Sequence, residues 1–197
     1  MLLPLLNVLH RRKDPTRHWH SDPSQLTIDI AHCTLANIPL GGPSDSLSPL
    51  GPSENARQSA RGYPAWYSKG LSASIEHHRL ADFIIYLRPA KPFRPFTGKI
   101  LCNNNPTSLS PNAKIAEVVS LLDEPFARSK NDWDSATVLF YETPTGEAQF
   151  AFDKETGKLI SIECWYEPEL SQPGACQTYG IERDFPDNLR RTLTILD

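Results

Sequence analysis

Eighteen prolines against ten glycines in 197 residues set the first limit on this chain. Proline lacks the backbone N–H and locks φ, so it ends helices and is kept out of central strands. A chain punctuated so often is expected to fold from short elements joined by turns, not from long helices. Its longest apolar run falls far short of the roughly 18 residues that a membrane-spanning helix needs. Charged residues make up 22% and the formal net charge is −3, which excludes a polybasic nucleic-acid binder and a highly charged disordered chain. The length suits one ordinary domain or two small ones.

The four cysteines, Cys33, Cys102, Cys164 and Cys176, contain no C-x-x-C pair, so a zinc ribbon or redox motif is not expected. At the N-terminus the charges of Arg11-Arg12-Lys13 follow the apolar run instead of preceding it, and Pro4 and Asn7 break that run. A signal peptide has the reverse order. The expectation is a cytoplasmic protein with reduced thiols and no membrane partner.

Hydrophobic periodicity divides the chain. Residues 1–25 read as a flexible tail. A first α+β unit spans 26–96, a second spans 97–170, and 171–197 form a C-terminal extension. In the first unit Leu26–Ile30 alternates like a half-buried strand, and Ser44 or Asp45 would cap a short helix through Leu47 and Leu50 that Gly51-Pro52 ends. Leu71–Ile75 and Leu80–Leu87 read as strands on either side of a polar turn at Glu76–Arg79. In the second unit Gly98–Leu101 reads as a short strand. Ser110-Pro111 would open a helix whose apolar face is Ile115, Val118, Val119, Leu121 and Leu122, stopped at Pro125. Thr137–Tyr141, Ala148–Phe152 and Leu159–Tyr166 follow as strands, with glycine at the turns. A shift near 75 residues aligns Leu50 with Leu122 and Leu71 with Phe150. The predicted fold class is therefore α+β: two tandem helix-plus-antiparallel-meander units forming one curved sheet with helices on one face.

No G-x-S-x-G elbow, H-E-x-x-H or P-loop occurs. His18-x-His20 and His77-His78 are the histidine groupings. The first has no carboxylate or cysteine in register to complete a metal site, and the second reads as a hairpin turn. The sequence thus predicts no enzyme, no metal and no cofactor. A contact surface is the better reading of the remaining features. Residues 1–99 hold 12 Lys/Arg against 7 Asp/Glu, whereas residues 100–197 hold 8 against 16. Asp132 and Asp134 flank Trp133 in a polar loop, the pattern of an aromatic anchor among acids. Along the last strand Ile160, Ile162, Cys164 and Tyr166 would point one way and Leu159, Ser161, Glu163 and Trp165 the other. Glu163, Trp165 and the neighbouring Gln149 would then share an open face. The predicted partner-binding residues are Asp132, Trp133, Asp134, Gln149, Glu163 and Trp165.

Two resemblances add to this. The unit of Ile115–Pro125 followed by Val138–Tyr141, Phe150–Asp153 and Gly157–Ile162 resembles the repeat of the β-lactamase-inhibitor-protein fold, which also occurs in small outer-membrane assembly lipoproteins. Leu47–Pro52 and Gly70–Leu87 match it more weakly. The phrase Ile28–Gly41, with Leu50–Asn55, resembles an uncharacterised bacterial family found beside polymorphic toxins and type VI secretion effectors. That resemblance implies an immunity protein that binds and neutralises a cognate secreted toxin, and the acidic second half would suit a nuclease with a basic groove. An effector adaptor or chaperone and an envelope-assembly protein are the alternatives. Binding of nucleic acid is not expected.

Overall fold

The segments of period two fold as strands, and glycine or paired left-handed residues turn the chain between them. The computed structural model describes residues 13–129 and 136–166. Seven strands form one antiparallel sheet: β4 (Ala65–Trp66), β5 (Leu71–Glu76), β6 (Arg79–Tyr86), β9 (Ala127–Arg128), β10 (Ala136–Thr143), β11 (Gly146–Asp153) and β12 (Leu159–Trp165). Their spatial order is β4-β5-β6-β12-β11-β10-β9. His77 and His78 form the two-residue β5–β6 turn with φ of 49° and 63°. Both central residues of such a turn must be left-handed for its twist to match the strands. Gly157, at φ 62°, serves the turn between β11 and β12.

The remaining strands are β1 (Thr27–Asp29), β2 (Thr34–Leu35), β3 (Ile38–Pro39), β7 (Lys99–Cys102) and β8 (Asn105–Pro106), in the order β3-β2-β1-β7-β8. Here β1 pairs with β7 in parallel, Ile28 opposite Ile100. This pairing corrects the predicted fold class. The architecture is mainly β, two sheets of five and seven strands, and tandem helix-plus-meander units are not present. β1 comes from the first half of the chain and β7 from the second, so the halves interleave instead of repeating.

The helices also differ from expectation. In the first half, Pro43 precedes a 3-10 turn, Ser44–Leu47, with no side-chain cap, where a helix to Leu50 was predicted. Leu47 and Leu50 are still buried. A one-turn helix, Ala56–Ser59, stands instead in the stretch read as irregular. Asn55 caps it by accepting from Gln58 N at 3.1 Å. In the second half the helix is Ile115–Leu122, four residues later than a cap at Ser110 would start it. Ser110 Oγ accepts from Asn112 N in a turn. The carbonyl of buried Ala113 then accepts from Leu159 N at 2.9 Å. The chain is thereby held along β12 until Lys114, whose N–H is capped by Glu117.

The core lies between the sheets. Residues opposite in register share a face, so Leu71, Ile85, Ile162, Phe150 and Leu139 form one row across five strands, each 0% exposed. Ala73, Phe83, Cys164, Ala148 and Tyr141 form the next. Ile28 and Leu35 of the small sheet, Ile30 just past β1 and Val118 of the longer helix belong to the same cluster. Each such side chain contributes roughly 1.5–3 kcal/mol through burial. Thr145 Oγ1 donates to His32 O at 2.5 Å, which ties the β10–β11 turn to the β1–β2 turn. Residues 13–25 hold two 3-10 turns, and Asp14 fastens the first of them. Its buried carboxylate accepts from Thr16 N, Thr16 Oγ1 and, at 2.6 Å, Ser59 Oγ.

Candidate functional site

The opposite face of the seven-stranded sheet is chemically distinct. Its rows follow from the same register. One contains Ser72, Ile84, Glu163, Gln149 and Phe140, and the next contains Ser74, Asp82, Trp165, Glu147 and Glu142. A third adds Tyr86, Ser161, Ala151 and Val138. Four carboxylates therefore share a face on β6, β12, β11 and β10, and these three rows contain no lysine or arginine. Of the predicted site residues, Gln149, Glu163 and Trp165 are brought together here. Gln149 stands directly opposite Glu163, and Trp165 is one row away, opposite both Asp82 and Glu147. Asp132, Trp133 and Asp134 lie outside the described residues. Leu159 departs from the predicted alternation. A register shift between Ala151 and Phe152 sets Leu159 opposite Phe152, which turns it into the core. An extra residue in one strand of a ladder is enough to move a side chain to the other face.

The electrostatics follow from burial. Glu147 is fully buried, and its Oε1 accepts from Gln149 Nε2 at 2.8 Å. A buried carboxylate needs such donors, because taking the ion out of water costs far more than burying a neutral polar group unless hydrogen bonds are restored. Glu142 is directly opposite Glu147 on β10. Like charges in that position repel, and burial raises the Glu142 carboxyl above its ordinary value. Burial likewise raises Asp82, as does the charge of Glu76, while a hydrogen bond from Ser74 works against both. Burial raises the Tyr86 phenol, opposed by a hydrogen bond with Ser72 and reinforced by Glu163. The Trp165 indole N–H is buried and meets no acceptor among the described residues. At the end of this face Phe93 stacks on Tyr86, with ring centroids 4.2 Å apart, and meets Tyr67 edge-on at 5.0 Å.

The sequence reading missed Asp82, Glu142, Glu147 and Tyr86. Their parity along each strand was visible, but the pairing of β6 with β12 across some 80 residues was not. A second polar cluster, around Asp29, has a structural role. This buried carboxylate accepts from the backbone N–H groups of Ala31, Asn103 and Asn104, and His32 Nδ1 lies 3.3 Å away. It thereby fixes the β7–β8 turn, where Asn103 and Asn104 are left-handed. Cys102 is close by, but burial, and secondarily the Asp29 charge, pushes its thiol up. A nucleophilic cysteine requires the opposite shift. Among the described residues no group of three or more His, Cys, Asp or Glu is placed to hold a metal ion.

No family model and no curated protein matches the chain. Among solved structures it is similar to the crystal structure of a DUF4309 family protein (YjgB) from Bacillus subtilis subsp. subtilis str. 168. The identity is 11% and the TM-score 0.44, covering 83% of this chain and 96% of that one. It is also similar to the structure of an extracellular protein containing a SCP domain from Bacillus anthracis str. Ames. There the identity is 12% and the TM-score 0.41, covering 76% of this chain and 51% of that one. These findings correct both resemblances taken from the sequence: the matches are to neither an immunity family nor β-lactamase-inhibitor-like repeats.

Proposed function

We propose that this chain is a non-enzymatic binding protein whose partner is a protein with a basic surface, held against the carboxylate face of the seven-stranded sheet. The observation that carries the reading is the composition of that face: the partly exposed Asp82, Glu142 and Glu163 in three rows without a basic side chain, with Glu147 buried among them. A low-dielectric surface of one sign speeds encounter with the opposite sign and rejects its own. Trp165, at the centre of these acids, supplies an aromatic anchor of the kind that dominates interface energetics. The specific form of the proposal is neutralisation of a cognate secreted toxin in the cell that makes it, by covering a basic active-site groove. It rests on the acidic face and on no family likeness.

Co-expression with secreted toxin domains that carry a basic active-site groove tests it. Restored growth, together with a stoichiometric complex, is the expected result. A complex that restores export but not growth would make the chain an adaptor instead. Binding that is indifferent to salt, and to Glu163→Lys combined with Asp82→Lys, would remove the acidic face from the account. Fractionation tests the proposed cytoplasmic location.

A further inference from the structure

Side chains on an open sheet face keep their ends in water, because neighbours on the same face stand beside them and not above them. The carboxylate face departs from this. Glu147 is 0% exposed, Gln149, Phe140 and Ser74 are also buried, and the Trp165 indole N–H is shut off from solvent. No residue of the Gln149 and Glu147 rows is exposed. The five-stranded sheet does not supply this cover, since its Ile28 and Leu35 join the core on the other side. Among the described residues, Phe126 meets Phe140 and Phe93 stacks on Tyr86, but neither contact falls in the row of Glu147 and Trp165. That row is therefore covered by chain outside the described residues.

The points of departure separate the three stretches concerned. Residues 130–135 leave and return at the Val138 end of β10, where Ser129 N donates to Val138 O. Glu142, opposite Glu147, lies four residues further on, about 14 Å along the strand, whereas six residues that must return extend only about 10 Å. Residues 1–12 join the chain beside β4: Thr16 Oγ1 accepts from Ser53 N, and Ser53 Oγ donates to Ala65 O. β4 is separated from β11 by β5, β6 and β12, about 19 Å across the sheet. Residues 167–197 continue β12 itself, directly after Tyr166, and Trp165 is the residue opposite Glu147.

We infer that residues 167–197 return over the carboxylate face and cover Glu147 and Trp165. Acids outnumber bases in this segment by six to three, so charge does not hold it there. Its apolar residues Tyr179, Ile181 and Phe185, set against the Trp165 ring, do. On the binding reading above, and resting on it, a basic partner meets the half-buried Asp82, Glu142 and Glu163 first and reaches Trp165 by displacing this segment. The cover itself is tested without any partner, so its failure and that of the binding reading are distinguishable.

Cys176 lies in the segment, whereas Cys33, Cys102 and Cys164 are buried. A maleimide photo-cross-linker placed on Cys176 of the full chain is expected, on irradiation, to join the segment to β11 around Glu147. Carbodiimide coupling of a small amine reads the face directly: Glu147 should label several-fold more slowly than the exposed Glu155. A full-length Tyr179→Asp, Ile181→Asp, Phe185→Asp variant leaves the described core untouched. It should raise Glu147 labelling to that of the half-buried Glu142 and Glu163. Cross-links confined to the five-stranded sheet or to the helix Ile115–Leu122 would overturn the inference. So would Glu147 labelling as fast as Glu155 in the wild type, or unchanged protection in the variant, which would hand the cover to residues 1–12.

Discussion

The two faces of the seven-stranded sheet are built from the same strands by the same alternation, yet they solve opposite problems. One presents Leu139, Phe150, Ile162, Ile85 and Leu71 to the small sheet and is dry. The other presents four carboxylates, Gln149, Tyr86 and Trp165. The first face gains free energy from every apolar contact. The second is held at a cost, visible in the raised carboxyls of Asp82 and Glu142 and in a buried Trp165 indole N–H that meets no acceptor among the described residues. Polar groups kept where apolar ones would stabilise more mark a face shaped by something other than folding.

Substitutions on the two faces should separate accordingly. Phe150→Ala leaves a cavity in the central row and should cost about 3–5 kcal/mol in chemical denaturation. A loss below about 1 kcal/mol would mean that the sheets are not packed as described. Gln149→Ala removes a donor to the buried Glu147 carboxylate and should cost about 1–2 kcal/mol. Gln149→Glu should cost more, through like charge. Asp82→Asn should act through pH. The folded carboxyl is raised above its unfolded value, so the stability tied to it is whole below the ordinary carboxylate range and lost as pH rises through the raised value. Asp82→Asn should therefore gain on the wild type as pH rises from that range toward neutrality, by less than about 1 kcal/mol. A difference that is flat with pH would mean that Asp82 is solvated. Glu163→Gln should have the smallest effect on stability, within about 0.5 kcal/mol. It should nonetheless slow association with a basic partner and flatten its salt dependence.

Local signals were legible where a single strand or turn decided the outcome. β5, β6, β10, β11 and β12 stand where alternation placed them, and His77-His78 occupy the hairpin turn. Of the six predicted contact residues, Glu163 and Trp165 share one face through parity along β12, and the β11–β12 register adds Gln149. Helix starts were less legible. Ser110-Pro111 has the chemistry of an N-terminus, but the hydrogen bond from Leu159 N to Ala113 O keeps the chain extended past it. Leu159 was misassigned because one register shift, invisible in sequence, moved it to the core.

By itself, the sequence determined that this chain would be short-stranded and turn-rich, with acids and a tryptophan on alternate positions of its last strands. Those properties depend on neighbours a few residues apart. Only the tertiary structure decided that β1 would pair with β7, that β6 would lie beside β12, and that Asp82 and Glu142 would join Glu163 and Trp165 on one face. Such pairings join residues far apart in the chain. They are chosen by the burial of whole faces against each other, and the pattern within any one segment carries no record of that choice.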